Sequence, residues 1–206
     1  MRLIFASNNL HKLEEVRKIL SAPIEVVGLS DIGFLQEIDE SGTTLEANSH
    51  IKADVVWQWL VAQSREKDYD GVFADDTGLE INALGGKPGV YSARWAGEPA
   101  NDANNRKKVL SELEGVSDRT ARFRTVITWM TPTQTIQVEG IVEGEITCQE
   151  EGTGGFGYDA IFRPKGYANT FAVLSPETKN NISHRARALM ALRDAIDKKQ
   201  DLWSLL

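Results

Sequence analysis

Cysteine is nearly absent. The one thiol in 206 residues, Cys148, excludes an internal disulfide framework and points to a reducing compartment, the cytoplasm. With 3 histidines and no cysteine cluster, a zinc centre is not expected. Positive charge is also short: 23 Lys and Arg against 30 Asp and Glu leave a formal net charge of −7. That is the wrong sign for a protein that coats DNA or RNA by displacing counterions. A small anionic ligand stays open, because it needs only a few cations in one pocket. Long hydrophobic runs are missing as well. The richest, VVWQWLVA at 55–62, is short and broken by Gln58, so no membrane span is expected. The apolar run in MRLIFASNN turns polar at Ser7, too short for a signal peptide. No Walker loop, G-x-S-x-G elbow, repeat or low-complexity tract is found.

The remainder is ordinary globular chain, long enough for one substantial core, read as a single bilobed domain over residues 1–206. Arg2 to Ala6 predict a first strand and Leu10 to Leu20 a helix, with Leu10, Leu13, Val16 and Leu20 as its stripe. Ile24 to Gly28 predict a second strand, Thr44 to Ser64 a long helix, and 72–74 and 79–81 two short strands. Asn101 to Glu114 predict a helix. Thr120 to Met130 and Thr135 to Thr147 predict a hairpin across the turn TPTQ. A strand at 160–162 and a helix over 183–199, capped by Ser183, complete the chain. The expected class is α/β with a mixed sheet.

Four polar segments fall where strands end or helices begin, the usual ligand position in such sheets. SNNLHK (7–12) places Ser7, Asn9 and Lys12 at a helix N-terminus, where unpaired N–H groups and the dipole favour an anion. Taken alone, the segment is better explained by Asn9 as a simple cap and Lys12 as a solvated side chain. DDTG (75–78) puts Asp75 and Asp76 at a strand end, their carboxylates pointing in different directions; Asp39 and Glu40 form a second acidic pair. Carboxylates from separate loops suit Mg²⁺, which takes one or two from protein and fills its shell with water and phosphate. Within the helix that follows, Asn48 and Lys52 fall on the apolar stripe of Leu45, Val55 and Trp59. A carboxylate meets Lys52, or that face floors a wet anionic cleft, or the lysine snorkels.

The third segment is GTGGFGYD (152–159). Its match to G-x-G-x-x-G is discounted, because a dinucleotide fingerprint must open a helix and YDAIF reads as a strand. Glycines around Phe156 instead allow backbone to approach a flat ligand, with Phe156 placed to stack on a base, while Tyr158 reads as structural. The fourth, KNNISHR (179–185), offers Lys179, His184 and the planar fork of Arg185.

Together and in this order, SNNLHK, DESGTTLEAN with Lys52, FADDTGLEINALGGKPGVYSARWAG, GTGGFGYDAIF and ISHRARAL resemble the inosine/xanthosine triphosphate pyrophosphatase family along nearly the whole chain. The resemblance implies a long mixed β-sheet flanked by helices, in two lobes with a nucleotide-binding cleft between them. It also implies a homodimer, Mg²⁺, and hydrolysis of non-canonical purine triphosphates (ITP, dITP, XTP) to the monophosphate and pyrophosphate. Carried over by position, Ser7, Asn8, Asn9, Leu10, His11 and Lys12 hold the triphosphate. Asp76 is general base and metal ligand, Asp39 or Glu40 a second ligand, and Thr77 a substrate contact. Phe156, Gly157, Tyr158 and Asp159 cradle base and sugar, while Lys179, His184 and Arg185 complete base recognition. Two departures stand out. Asn8 stands where glycine is common and is expected to adopt the glycine conformation; Ala47 stands where an acid is common, which removes a helix-borne metal ligand there. A pyrophosphatase of modified pyrimidine triphosphates and a non-catalytic nucleotide sensor are the alternatives.

Overall fold

The computed structural model describes residues 1–204, with side chains described through residue 199. In chain order it runs β1 (Arg2–Phe5), α1 (Leu10–Ile19), β2 (Glu25–Gly28), α2 (Leu29–Ile32), α3 (Leu45–Ala62), β3 (Gly71–Ile81), β4 (Lys87–Gly89) and α4 (Asp102–Glu112). It continues with β5 (Thr120–Thr131), β6 (Gln134–Ile146), β7 (Phe162–Pro164), α5 (Pro176–Ile182) and α6 (His184–Ser204). The strands bond in the order β2-β1-β3-β5-β6-β7, with β4 pairing β3 separately. β1 is parallel to both β2 and β3, whereas β3–β4 and β6–β7 are antiparallel, so the sheet is mixed as expected.

The chain divides into two compact units. The first comprises Met1–Asp76, Val126–Gly140 and the chain from Ala186. Here the two-residue period of a strand buried on both faces decides the layers. Leu3 and Phe5 join one apolar cluster with Leu13 and Val16 of α1 and Leu189, Leu192 and Ile196 of α6. Ile4 and Ala6 join another with Ala53, Val56 and Leu60 of α3. Helices thus cover both faces. The second unit, Thr77–Thr125 and Ile141–Arg185, is built round Leu79, Ile81, Val109, Phe123, Ile146, Phe162 and Phe171.

Three expectations need correction. DDTG does not end a strand, because β3 is continuous from Gly71 to Ile81. Asp and Gly are poor strand formers, but β1 pairs residues 71–73 and β4 pairs residues 79–81, so ladders hold both ends. Gly78 is there for approach: a Cβ would stand 2.6 Å from the Gly89 carbonyl oxygen. Ser183, in extended backbone, stands immediately before α6, where the cap is expected; it also ends α5, whose own cap, Ser175, accepts the Thr178 N–H. The signal was Ser-Pro at 175–176, a cap followed by proline in the first turn. Asn8 does not adopt the glycine conformation. Among the described residues, Ser64 is the non-glycine residue with positive φ. The late strand also shifts, from 160–162 to Phe162–Pro164.

Candidate active site

Consecutive side chains leave a pleated strand on opposite faces, so Asp75 and Asp76 meet different lysines. Both acids lie in the first unit. Asp75, wholly buried, accepts from Lys12 Nζ at 2.9 Å. Lys12 stands in the first turn of α1, where Asn9 Oδ1 accepts its N–H at 3.1 Å and Ser7 Oγ accepts the Asn9 N–H at 3.2 Å. Asn9 is therefore a cap, and that turn carries no acid to oppose the helix dipole. Asn8, Leu10 and His11 are exposed around it.

Asp76 faces α3. Lys52 Nζ lies 3.3 Å from its Oδ1 and 2.6 Å from Glu40 Oε2, with the lysine only 7% exposed. Of the three readings of Lys52, a meeting with carboxylates is the one observed. Glu40 is brought within reach by its loop: Asn48 Oδ1 accepts the Gly42 N–H at 2.8 Å, an approach that a Cβ at residue 42 would block at 2.5 Å. Asp39, one residue earlier, is exposed. Burial alone lowers the lysine pKa, but Asp76, Glu40 and Asp75 outweigh it and raise the pKa above the ordinary value. Burial lifts the Asp76 carboxyl above the aspartate range; Lys52 and Lys12 pull it back, and Glu40 and Asp75 add to the lift.

The sequence reading missed Ser49. Its hydroxyl donates to the Ala74 carbonyl at 2.9 Å and accepts the Thr128 N–H at 2.8 Å, which ties α3 to β3 just before the two aspartates. The available signal was a small hydroxyl one turn before Lys52 on the same buried face.

Asp76 Oδ2 is buried and has no hydrogen-bond partner. An unsatisfied buried acceptor is unfavourable, and an anionic oxygen beside a second carboxylate is what a hard cation takes. Two carboxylates that share one lysine, Asp76 and Glu40, are a donor set of the kind Mg²⁺ accepts. Among the described residues no three His, Cys, Asp or Glu side chains converge on one point.

In the second unit, Thr77 Oγ1 lies 2.8 Å from Thr125 Oγ1. The Phe156 loop is braced by Asp159, whose Oδ2 accepts the Phe156 N–H at 2.9 Å and pairs with Lys179 Nζ at 2.7 Å. Lys179 Nζ stands 4.7 Å, and Arg185 Cζ 5.9 Å, from the centre of the Phe156 ring. Both cations are buried. His184 stacks on Phe123 at 4.6 Å and belongs to the aromatic core. Tyr158 is core as well: its hydroxyl donates to the Ser92 carbonyl at 2.7 Å, and burial, with Asp102 and Glu112 nearby, pushes its pKa up.

At Gly155, in the left-handed region at φ +71°, a Cβ would collide with the Asp159 carboxylate. Gly155→Ala is therefore expected to displace Asp159 from Lys179 and Phe156. Unfavourable φ alone is worth about 1–2 kcal/mol, and the melting temperature should fall by roughly 2–8 °C. Calorimetry checks this; an unchanged melt refutes the brace.

The fold is a mixed-sheet α/β one; its first unit carries a lysine in the first turn of α1 and an orphaned carboxylate oxygen, and its second a phenylalanine flanked by two cations. Comparison with known proteins places it further. The chain belongs to the Ham1 family, whose model matches residues 3–195. It is 45% identical to a dITP/XTP pyrophosphatase of Flavobacterium johnsoniae over 95% of this chain and 98% of that protein. It is 47% identical to a dITP/XTP pyrophosphatase of Bacillus licheniformis, over 95% and 98% respectively. The structure of the Staphylococcus aureus Ham1 protein superposes with a TM-score of 0.85 at 36% identity, covering 97% of this chain and 100% of that one.

Proposed function

We propose that this protein hydrolyses the non-canonical purine triphosphates ITP, dITP and XTP to the monophosphate and pyrophosphate. The names of its near-full-length relatives support the substrate class. The observation that carries the chemistry is the buried, unpartnered Oδ2 of Asp76 beside Glu40. Mg²⁺, when bound, supplies positive charge against what builds on the phosphate oxygens. Glu40 rather than Asp39 is its second protein ligand, because Lys52 and Asn48 hold Glu40 next to Asp76. Asp76 takes the proton from the water that attacks the α-phosphorus, and its raised pKa makes it a stronger base than an ordinary carboxylate. Lys12, with Ser7 through His11 at the start of α1, steadies the departing pyrophosphate. Thr77 contacts the substrate alongside.

Phe156 stacks on the purine, and Lys179 and Arg185 provide donors at its edge. A donor aimed at O6 favours hypoxanthine or xanthine and meets the amino group of adenine badly. Arg185→Ala is expected to reduce the preference for ITP over ATP by about 10- to 100-fold, the weight of one charged hydrogen bond. Steady-state kinetics on both nucleotides measures it, and an undiminished preference refutes the assignment. The protein works as a cytoplasmic homodimer in this reading; light scattering tests the dimer. Among the described residues, no helix is long and apolar enough to cross a membrane.

The deciding assay is pyrophosphate release from ITP, dITP, XTP, GTP, ATP and modified pyrimidine triphosphates, with Mg²⁺ and with EDTA. Rapid release from the first three in Mg²⁺ alone is expected. Release only from modified pyrimidine triphosphates, or tight ITP binding without release, overturns the proposal in favour of one of the alternatives.

A further inference from the structure

Gly157 is held in the left-handed region at φ +60°, and no neighbouring atom lies within 4 Å of where its Cβ would be. Two side chains of α4 hold the backbone there. Asp102 Oδ2 accepts the Gly157 N–H at 2.8 Å, and Arg106 Nη1 donates to the Gly157 carbonyl at 2.9 Å. The same guanidinium pairs through Nε with Glu150 Oε1 at 2.9 Å, at the start of the loop. Residues four apart share a helix face, so one face of α4 grips the loop at its start and on both sides of its tip.

The platform itself is anchored. Asn101 caps α4, and the buried Asn105 accepts the Ala96 N–H at 2.7 Å and donates to the Ala93 carbonyl at 2.9 Å. We propose that Asp102 and Arg106 are positioning residues that fix the Phe156 ring for the base, by holding the Gly157 N–H and carbonyl from one face of α4. This rests on the reading that Phe156 meets the purine. A loop released from α4 must be ordered when substrate binds, an entropic loss that appears in KM. Loss of binding shared by ground and transition states leaves kcat in place.

The test is steady-state hydrolysis of ITP in Mg²⁺ by Arg106→Ala, Asp102→Ala, Asp102→Asn, Phe156→Ala and the double variant Arg106→Ala/Phe156→Ala. The two α4 alanine variants are each expected to raise KM about tenfold, roughly one charged hydrogen bond, with kcat within about twofold. Inhibition by inorganic pyrophosphate, which has no base, should not change. Asp102→Asn, whose amide oxygen accepts the same N–H, should recover the parent KM, and the double variant should be no worse than Phe156→Ala alone. Additive losses in the double variant, or a weakened pyrophosphate inhibition, overturn the proposal by showing a general structural role. A parent-like KM in Arg106→Ala beside an impaired Phe156→Ala overturns the positioning alone. A parent-like Phe156→Ala overturns the stacking reading beneath it. Should Arg106→Ala fail to fold, the contrast between Asp102→Ala and Asp102→Asn decides: equal KM values for the two overturn the proposal.

Discussion

Asp76→Asn is expected to hydrolyse ITP at least about 10³-fold more slowly than the parent protein while melting no lower in metal-free buffer. The amide keeps the shape of the side chain and removes both the base and the anionic oxygen that faces no donor. The stability half follows from the sign of the pKa shift. Burial raises the Asp76 carboxyl in the folded protein, so the folded state binds its proton more readily than the unfolded chain does. Its favourable contribution is complete below the ordinary aspartate pKa and is lost as pH rises through the higher folded value. At neutral pH the ionised group is a burden that asparagine does not carry, and Lys52 retains Glu40 as its partner. Mg²⁺ should raise the melting temperature of the parent protein, since a ligand of the native state stabilises it, and should do so far less in the variant. Near-normal turnover sinks the catalytic assignment. A melt several degrees lower in EDTA would instead make Asp76 a structural ion-pair partner.

What the sequence disclosed divides along a physical line. Periodicity and caps recovered α1, α3 and α4: Asn9, Thr44 and Asn101 each accept the N–H that a cap should. Polar residues on an apolar stripe flagged the site, and Asn48 and Lys52 are the residues that hold the Gly42 loop and the two acids. Illegible were the contacts that depend on which elements become neighbours. The run DDTG reads as a break because strand propensity is local, whereas its continuity comes from ladders to residues 3–5 and 87–89. Ser49 gives no local sign of reaching Thr128, 79 positions away. Nor does Asp102 of reaching Gly157, 55 positions on. That Glu40, and not the exposed Asp39, meets Lys52 likewise depends on the loop geometry that a glycine at 42 permits.

Lys52→Met is the substitution expected to weaken the fold most. Its side chain is 8% exposed, and its ammonium lies between two carboxylates, one of them buried. Removing one partner of a buried ionic cluster typically loses about 3–5 kcal/mol, because charge is left without compensation. For a chain of this size that is roughly a 6–20 °C fall in melting temperature. The raised lysine pKa gives the direction: its contribution is fully present below the ordinary lysine value, and so throughout the neutral range, and is lost only as pH rises through the folded value. Two controls separate charge from packing. Combining Lys52→Met with Glu40→Gln and Asp76→Asn removes the uncompensated charges and should recover most of the loss, since replacing a whole buried cluster is often neutral. Adding Mg²⁺ to Lys52→Met alone should recover part of it, because the ion brings the missing positive charge to the same two acids. A single variant that melts with the parent in EDTA, or a triple variant as unstable as the single, would mean that Lys52 acts through the packing of its stem and that the acids are not in mutual conflict.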